Sequence, residues 1–456
     1  MNLLANKTVL VIGLAKSGYA AATALAKRGV KTIATDIKDD AAIKERAALL
    51  EDKGAKVVLG QHPLELLAAV NLVVVSPGVP DTAPLVAEAK RRSIPVISEP
   101  ELAYCLYPGP YLAITGSNGK TTTTAWVGEA LTAGGVEVVV AGNIGRPLTE
   151  AVSHVSPNTW VVAELSSFQL EYIDQFRPRI STILNLSEDH LDRHGSFAAY
   201  RAAKAKIFAC QNKYDVLVLN ADDKYSAELA AVAPSRVLFF SRRQLLTQGA
   251  WVEEGNLTIG FEGEKVTLCR QEEVAIPGHH NLENALATAC LARAAGVPPA
   301  AISWALQHFS GVEHRCEKVA NIGGVLYVND SKGTNPDATV RALQAFSPPL
   351  ILIAGGRDKG TSLQELVTVA KDRCRAVILI GEAAPKFKQA LTAGGFSASY
   401  EADTLPAAVR MAHDLALTGD TVLLSPACAS FDMFHSYEQR GLVFKEVVGE
   451  LGGDRA

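Results

Sequence analysis

The stretch "AITGSNGKTTTT", from Ala113 to Thr124, enters from apolar residues, breaks at Gly116 and Gly119 and ends in Gly-Lys-Thr. A strand that passes through a glycine loop into a helix is the arrangement of a phosphate-binding loop. The usual pattern has a glycine five residues before Gly119, but Ile114 stands there, so this loop is shorter. Backbone amides from Gly116 to Lys120 can still surround a phosphate at the amino end of a helix. The preceding strand and the Gly-Lys-Thr order disfavour the alternative, a plain glycine turn with threonine caps.

The loop predicts a nucleotide and a magnesium ion. Lys120 supplies positive charge to the terminal phosphates, and the Thr121 hydroxyl is a suitable magnesium ligand. Further oxygen ligands are needed, and Glu164, which follows the apolar "WVVA", stands where a strand should end. The stretch "LNLSEDHLDRHG" follows the next apolar strand, and each polar residue in it is either a ligand or a solvated turn residue. These residues are Glu188, Asp189, His190, Asp192 and His194.

The next helix carries a lysine in an unusual place. In "FAAYRAAKAKIF", Lys204 falls on the same helical stripe as Tyr200 and Phe208, whereas Lys206 points roughly 200° around the helix. An ammonium among apolar side chains is unfavourable unless the chain extends to water. The pattern therefore predicts either a lysine whose charged end reaches solvent or one with a depressed pKa that is reactive or modified.

Composition restricts the class of protein. The length of 456 residues favours about three domains. The small net charge of -4 argues against general nucleic-acid binding. The seven cysteines are widely spaced without a CxxC pair, which predicts reduced, buried thiols. No stretch reaches the ~18 apolar residues of a membrane span, and the first residues do not resemble a signal peptide. We therefore expect a cytoplasmic protein with no membrane span and no nucleic-acid partner. A monomer is expected, although composition does not determine the oligomeric state.

Alternating strand and helix patterns divide the chain into three α/β segments. We predict a Rossmann-like domain over residues 1–106, a central phosphate-loop domain with a mostly parallel sheet over 107–311, and a second Rossmann-like domain over 312–456. The first domain contains "GLAKSG", which is nearly the dinucleotide fingerprint, and Asp36 stands where an acid would bind ribose. A nicotinamide cofactor is one interpretation of this turn, and a different nucleotide is the favoured one.

Several motifs occur together in a fixed order. They are "TGSNGKT", "ELSSFQLE", "LNLSEDHLDRH", "YRAAKAKIF", "GHHNLENALA", "EHRCE", "NDSKGTNPDA", "GGRDKG" and "LLSPACASFDMFHSYEQRG". In this order they resemble the Mur ligase family, from the first strand to the final helix. The last motif and the first domain are most similar to the family members that add D-glutamate to UDP-N-acetylmuramoyl-L-alanine in cytoplasmic peptidoglycan precursor synthesis.

The resemblance implies a reaction. ATP transfers its γ-phosphate to a carboxylate of UDP-N-acetylmuramoyl-L-alanine, the amine of D-glutamate attacks the acyl phosphate, and an amide forms with release of ADP and phosphate. Four residues match catalytic positions: Lys120, Glu164, His190 and Lys204. Four match ligands of two expected magnesium ions, with Lys204 as the lysine that the family carbamylates: Thr121, Glu164, His190 and Lys204.

The resemblance also implies three binding sites. The positions that match ATP contacts are Gly116, Ser117, Asn118, Gly119, Lys120, Thr121, Thr122, Asn284, Arg315, Asp330 and Lys332. Those that match contacts to the UDP-linked substrate are Lys16, Ser17, Asp36, Ile37, Ser76, Gly78, Asn143 and His190; here Lys16 and Ile37 differ from the usual family residues. Those that match the D-glutamate pocket are Thr334, Lys359, Ser430, Phe431 and Tyr437.

Other classes of protein share parts of this pattern. A folate polyglutamate ligase would share the loop and the acyl phosphate, but it should not have the first ~100-residue sheet domain. The sister ligase that adds a diamino acid usually carries an Asp-Asn-Pro-Arg motif, which this sequence does not contain. A non-catalytic nucleotide switch would need the loop but not a buried Lys204. The favoured interpretation is therefore the D-glutamate ligase.

Overall fold

A computed structural model describes residue 4 and residues 6–358 and 360–453. The chain folds around three β-sheets and separates into two compact units. Residues 1–274 and 283–309 form the first unit, and residues 275–282 and 310–456 form the second. The predicted fold class, α/β with mostly parallel sheets, is confirmed. The predicted boundaries between domains stay a prediction.

The first sheet is parallel, with strand order β3-β2-β1-β4-β5. Its strands are β1 Thr8–Ile12, β2 Lys31–Asp36, β3 Lys56–Leu59, β4 Leu72–Val75 and β5 Val96–Ser98. Its helices are α1 Lys16–Ala26, α2 Ala41–Glu51, α3 Pro84–Arg91 and α4 Glu99–Leu106. The central strands β1 and β4 are runs of valine, leucine and isoleucine that are buried on both faces. The order reverses between β1 and β4, which is where open sheets of this kind bind ligands.

The second sheet has nine strands in the order β14-β13-β12-β11-β10-β9-β6-β8-β7. They are β6 Tyr111–Thr115, β7 Val138–Gly142, β8 Trp160–Glu164, β9 Ile180–Ile183, β10 Val216–Asn220, β11 Arg236–Ser241, β12 Gly249–Glu253, β13 Asn256–Phe261 and β14 Glu264–Arg270. The helices are α5 Lys120–Ala133, α6 Leu148–Ala151, α7 Ser167–Leu170, α8 Leu191–His194, α9 Phe197–Ala205, α10 Ser226–Val232, α11 His279–Ala294 and α12 Pro299–His308. Strands β6 to β12 are parallel, and only the β12-β13-β14 edge is antiparallel. Strand β6 lies between β8 and β9, so its carboxyl end has a strand end on each side.

The third sheet has the order β15-β16-β20-β17-β18-β19, with only β15 antiparallel to its neighbour. Its strands are β15 Glu317–Ile322, β16 Val325–Asn329, β17 Leu350–Gly355, β18 Cys374–Ile380, β19 Ser399–Glu401 and β20 Thr421–Leu424. Its helices are α13 Pro336–Ala345, α14 Gln364–Arg373, α15 Ala384–Ala393, α16 Leu405–Leu415 and α17 Tyr437–Gly453. No helix among the described residues is long and apolar enough to cross a lipid bilayer.

The prediction for the cysteines was partly wrong. All seven are free thiols, but only Cys269, Cys290 and Cys428 are buried. The other four are half-buried: Cys105, Cys210, Cys316 and Cys374. A thiol is small enough to lie at the margin of a core as well as inside it, so residue type alone did not predict its depth.

Candidate active site

The glycine loop connects the end of β6 to the start of α5. Gly119, the residue before the helix, has φ +81°, and Gly116 has φ +154°, conformations that side-chain-bearing residues rarely adopt. A Cβ on Gly119 would lie 2.3 Å from Oδ1 of Asn284, so the loop and that side chain are in close contact. Lys120 folds back over the loop, and its Nζ donates to the carbonyl oxygens of Gly116 at 2.8 Å and Ser117 at 2.9 Å.

A side chain that the sequence analysis missed holds the middle of the loop. Asn185 follows β9; its carbonyl oxygen accepts from the amide of Ser117 at 3.0 Å, and its Oδ1 accepts from the amide of Asn118 at 2.9 Å. Its Nδ2 donates to the Asn118 carbonyl oxygen at 3.1 Å. Two amides of the predicted phosphate cradle are therefore already bonded within the protein. A polar residue at the end of the apolar run "STILN" was the available signal.

Lys204 lies in the core beneath this loop. The side chain is 1% exposed, and its Nζ donates to the Gly116 carbonyl oxygen at 2.9 Å and to Oγ1 of Thr115 at 3.3 Å. Burial, and then the neighbouring charge of Lys120, hold the pKa of Lys204 well below its usual value. None of the ion pairs between described residues includes it. Lys206 is exposed, as the helical stripe predicted.

Glu164 ends strand β8 and is 1% exposed. Its Oε1 accepts a hydrogen bond from Nδ2 of Asn143 at 2.8 Å, and the amide of Asn143 donates to the Glu164 carbonyl oxygen at 2.9 Å. Its Oε2 is buried and has no hydrogen-bond partner among the described residues. A buried carboxylate oxygen without a partner is unfavourable in a folded protein unless something binds there. This oxygen therefore fits a cation ligand.

His190 lies just before the four-residue helix α8. Its backbone is left-handed, with φ +52°, and the side chain is about half exposed. The ring meets the Phe168 ring at a centroid distance of 4.8 Å. No cluster of three histidine, cysteine or carboxylate side chains suited to a metal occurs in the part of the chain described. His190 and Glu164 therefore do not form a complete metal site of protein ligands.

The other polar residues near His190 have different environments. His194 is only 5% exposed as a side chain, and its Nε2 lies 3.0 Å from Oγ of Ser167. Burial lowers its pKa. The Asp189 carboxylate lies 3.5 Å from the His190 ring. The side chain of Asp192 lies outside the described part of the structure.

The residues predicted to bind ATP from the loop and from α11 lie together. Thr121 and Thr122 are buried in the first turn of α5, at 2% and 3% exposure. Asn284 is 6% exposed, and its Oδ1 accepts from Oγ1 of Thr123 at 3.3 Å. Ser117 Oγ donates to the Ser187 carbonyl oxygen at 3.0 Å and lies 3.0 Å from the Tyr200 hydroxyl. Because Tyr200 is on the same helix as Lys204, it ties that helix to the loop.

In the first sheet, the predicted UDP-substrate residues surround the point where the strand order reverses. Oγ of Ser76, after β4, donates to the Gly13 carbonyl oxygen after β1 at 2.9 Å. A Cβ on Gly18 would lie 1.7 Å from that same oxygen, so the start of α1 packs directly on the turn. Lys16 and Ser17 form the first turn of α1. Nζ of Lys16 donates to the carbonyl oxygen of Gly145, two residues after Asn143.

Asp36 has two backbone partners in this structure. Its Oδ2 accepts from the amide of Leu14 at 2.6 Å and its Oδ1 from the amide of Lys38 at 2.9 Å. It therefore stabilises the turn, and its predicted contact to a nucleotide stays a prediction. Ile37 beside it is 61% exposed. A Cβ on Gly78 would meet no atom within 4 Å, so this turn is open.

In the third sheet, Asp330 after β16 is buried. Its Oδ2 accepts from Oγ of Ser425 after β20 at 2.7 Å, and its Oδ1 accepts from the amide of Cys316 at 3.2 Å. Burial raises the pKa of Asp330 to about 6. Nε of Arg315 is buried without a hydrogen-bond partner among the described residues. Lys332 lies with its Nζ 5.6 Å from the centroid of the Tyr437 ring.

The residues predicted to bind D-glutamate differ in exposure. Ser430 is 2% exposed and Phe431 is 64% exposed, while Thr334 is half-buried and Tyr437 begins α17. Lys359 lies outside the described residues.

A buried arginine that the sequence analysis missed supports this region. Arg440 is 1% exposed, and its guanidinium donates to Oγ and the carbonyl oxygen of Ser331 and to the Cys428 carbonyl oxygen. Burial lowers its pKa to about 10. It joins the turns after β16 and β20, on which the predicted ligand-binding residues lie.

Three families match successive parts of the chain. They are the Mur ligase MurD-like N-terminal domain over residues 7–98, the Mur ligase middle domain over 114–292 and the Mur ligase glutamate ligase domain over 314–428. The chain is 46% identical over 449 residues to the UDP-N-acetylmuramoylalanine–D-glutamate ligase of Pelotomaculum thermopropionicum, covering 98% of both chains. It is 42% identical over 450 residues to the enzyme of the same name from Clostridioides difficile, covering 98% of this chain and 99% of that protein.

Solved structures share the fold. The UDP-N-acetylmuramate–alanine ligase of Thermotoga maritima superimposes with a TM-score of 0.61 at 20% identity, covering 98% of this chain and 100% of that one. MurF of Acinetobacter baumannii gives a TM-score of 0.60 at 18% identity, covering 96% and 93%. These similarities concern the fold alone.

The three mostly parallel sheets and the phosphate loop, together with the matching family domains and the named relatives, identify an ATP-dependent ligase of the α/β class. The chain belongs to the Mur ligase family, whose members carry out ATP-dependent steps of peptidoglycan precursor synthesis.

Proposed function

We propose that this chain joins D-glutamate to UDP-N-acetylmuramoyl-L-alanine, with hydrolysis of ATP to ADP and phosphate. The observation that carries the proposal is the 46% identity, over 98% of the chain, to a protein named for that reaction. The geometry supports the chemistry independently, because a phosphate loop and a carboxylate with an unpartnered oxygen lie at neighbouring strand ends of one sheet, and a buried lysine on α9 contacts that loop.

The reaction has two steps. The alanine carboxylate of the UDP-linked substrate attacks the γ-phosphorus, a new carbon–oxygen–phosphorus linkage forms, and ADP leaves. The glutamate amine then attacks the acyl carbon, a proton is lost from nitrogen, and phosphate leaves as the amide forms. Charge accumulates on the transferring phosphoryl group, so fixed cations and amides placed around it lower the barrier.

We assign the phosphoryl-binding role to Lys120 and the first turn of α5. Lys120 already contacts the loop carbonyls, so its ammonium needs only to move from those oxygens to a phosphate. Asn284 lies directly against Gly119, whose backbone is left-handed. From the second unit we assign Arg315, Asp330 and Lys332 to ATP binding. Arg315 has a buried Nε without a hydrogen-bond partner among the described residues, which is consistent with this role.

The donor atoms of three assigned residues suit magnesium. The unpartnered Oε2 of Glu164, the buried Thr121 hydroxyl and the half-exposed His190 are the groups that would hold it, with nucleotide oxygens completing the set. When bound, the ion neutralises phosphate charge and orients the transferring group. Two ions are proposed, since the family resemblance implies two.

Carbamylation fits Lys204. Burial lowers the pKa of Lys204, which favours the neutral amine with its free electron pair. Reaction of that amine with carbon dioxide forms a nitrogen–carbon bond and releases a proton. The product, a carbamate on Lys204, is an anion, and it replaces an ammonium whose burial is unfavourable. It would supply an oxygen ligand near the loop, to which Nζ of Lys204 is already hydrogen-bonded.

For the amino acid we assign Thr334, Lys359, Ser430, Phe431 and Tyr437. Two carboxylates need several donors, and one lysine with hydroxyl groups can provide them. If both carboxylates are fixed, only one enantiomer directs its amine at the acyl carbon, so D-glutamate should react and L-glutamate should not.

For the UDP-linked substrate we assign six residues near the carboxyl ends of strands in the first sheet and two residues that follow strands of the second sheet. They are Lys16, Ser17, Asp36, Ile37, Ser76, Gly78, Asn143 and His190. Because ATP and UDP-linked precursors are cytoplasmic metabolites, we propose a cytoplasmic location. A monomer is expected.

The test measures phosphate release with ATP, magnesium and UDP-N-acetylmuramoyl-L-alanine. D-glutamate is compared with L-glutamate, D-aspartate and meso-diaminopimelate, and the product mass is determined. We expect turnover with D-glutamate only, and none when the UDP-linked substrate is omitted. Equal turnover with L-glutamate or the diamino acid would overturn the choice of D-glutamate within the family, and turnover with folates in place of the muramoyl substrate would indicate a folate ligase. Phosphate release that needs neither substrate would indicate a nucleotide switch.

A further inference from the structure

Helix α8 is bonded to His190 through its backbone. The amides of Arg193 and His194 both donate to the His190 carbonyl oxygen at 3.1 Å. The helix ends at Gly195, whose amide donates to the Leu191 carbonyl oxygen at 2.8 Å. These bonds hold the backbones of Arg193 and His190 within a single turn of helix.

The side chain of Arg193 connects this helix to two other segments. Its Nη2 donates to Oε2 of Glu171 at 2.7 Å and to the carbonyl oxygen of Val79 at 2.9 Å. Both charged side chains are 17% exposed, so solvent screens the pair only in part. Glu171 directly follows α7, and Val79 belongs to the turn after β4 in the first sheet.

The Val79 turn is the one that carries predicted UDP-substrate residues. The amide of Val79 donates to the Ser76 carbonyl oxygen at 3.0 Å, and Gly78 lies between them. One guanidinium nitrogen thus contacts both the turn of the first sheet and the segment that follows α7.

Aromatic packing joins the same residues. The centroid of the Phe168 ring lies 4.8 Å from that of the His190 ring and 5.5 Å from that of the His194 ring. The guanidinium carbon of Arg193 lies 5.0 Å from the Phe168 centroid. Nδ1 of His194 lies 3.7 Å from Oε1 of Glu171. One packed group around His190 is therefore formed by the side chains of Phe168, Glu171, Arg193 and His194.

We propose that Arg193 and Glu171 are positioning residues that couple the Ser76–Val79 turn to His190. Occupancy of the turn by the UDP-linked substrate fixes Val79, and Arg193 passes that restraint to the metal-ligand position. The inference rests on the proposed function, which assigns the turn to that substrate and His190 to the metal. Such coupling is a difference in affinity between two sites, and it acts equally in both directions.

The chain offers a matched control. Arg201 on α9 pairs with Glu228, and its guanidinium carbon lies 4.1 Å from the Tyr225 ring centroid. This group also combines an arginine, a glutamate and an aromatic ring, but the Glu228 side chain is 63% exposed and no described contact of Arg201 reaches the first sheet. Arg201→Ala therefore removes a similar pair without touching the Val79 turn.

The experiment titrates Mn²⁺ by electron paramagnetic resonance into protein with ADP, with and without UDP-N-acetylmuramoyl-L-alanine. In the wild type we expect the substrate to tighten Mn²⁺ binding by about fivefold or more. Arg193→Ala and Glu171→Gln should bind Mn²⁺ equally with and without substrate, Arg193→Lys should restore part of the difference, and Arg201→Ala should behave as wild type. In turnover, Arg193→Ala should lower kcat by about tenfold or more with KM for ATP little changed.

Some outcomes would overturn the inference. One is that the UDP-linked substrate binds to the wild-type protein but does not change its affinity for Mn²⁺. Another is an Arg193→Ala variant whose thermal midpoint falls while its substrate effect on Mn²⁺ is unchanged, which would indicate a purely structural pair. The titration needs no turnover, so it separates this inference from the proposed function. A wild type that binds the UDP-linked substrate but never uses D-glutamate refutes only the reaction, and one that does not bind that substrate refutes both.

Discussion

Nζ of Lys204 lies 2.9 Å from the Gly116 carbonyl oxygen, and Nζ of Lys120 lies 2.8 Å from the same oxygen. Two ammonium groups that share one acceptor repel each other. Lys120 is half-buried and Lys204 is fully buried, so the charge of Lys204 is the one that the fold disfavours. The depressed pKa of Lys204 follows from this arrangement.

This relationship predicts the behaviour of Lys204 variants. Lys204→Ala should lower kcat by about a hundredfold or more, since it removes the carbamate that we propose as an oxygen ligand for magnesium near the transferring phosphoryl group. Small carboxylic acids should restore part of the activity by supplying an anion in the vacated space. Lys206→Ala is the control, because that side chain is exposed and should change kcat little. Similar losses at both positions, measured as phosphate release, would contradict the assignment.

A second prediction concerns the pH dependence of stability. Glu99, the first residue of α4, is completely buried; its Oε1 accepts from the amide and Oγ1 of Thr149 at 2.6 and 2.7 Å, and its Oε2 has no partner among the described residues. Burial raises the pKa of Glu99 from 4.5 to about 7. The folded state therefore favours the protonated acid, and this contribution to stability is lost as the pH rises towards and through 7.

Glu99→Gln should remove that loss, because the amide stays neutral at every pH. Relative to wild type, the variant should gain stability between pH 5 and pH 8 by up to about 3 kcal/mol, from 1.36 kcal/mol for each pKa unit. Urea unfolding at both pH values measures the difference. Glu45→Gln, at an exposed position, should show no such trend. A gain that is the same at pH 5 and pH 8 would argue against a titrating Glu99.

A third prediction separates backbone strain from contact at the loop. Gly119 and Gly135 have similar left-handed φ values of +81° and +74°, but only Gly119 would place a Cβ against Asn284. Alanine at either position should cost about 1 kcal/mol or more of stability. Gly119→Ala should in addition raise KM for ATP by about tenfold, as the loop and Asn284 must separate. If Gly135→Ala raised KM for ATP equally, the contact with Asn284 would not be the cause.

The fourth prediction concerns the amino-acid pocket. Ser430→Ala should raise KM for D-glutamate by about tenfold, by removing one hydroxyl donor from a carboxylate, and leave KM for ATP nearly unchanged. Lys359→Ala should act in the same direction. Ser397→Ala is the control, since Ser397 is exposed after α15. Loss of ATP binding in Ser430→Ala would place that residue at the nucleotide instead.

Local pattern was enough to predict most of the elements. The apolar runs "VLVLN", "LILIAG" and "TVLL" form buried strands, which is what alternating apolar runs and helical patterns predict for sheets covered on both faces. Short or less apolar strands were missed. Lys56–Leu59, Val96–Ser98 and Ser399–Glu401 have four, three and three residues, too few to show a period.

The sequence by itself determined the strand–loop–helix unit around Gly119, the three α/β segments and the place of Lys204 on an apolar helical stripe, because each depends on residues close together in the chain. Only the tertiary structure decided that Asn185 bonds the loop amides, that Oε2 of Glu164 has no partner, and that Arg193 reaches Val79. These contacts join residues 67 and 114 positions apart. The order of strands in the sheets brings them together, and neither spacing nor periodicity in the sequence encodes that order.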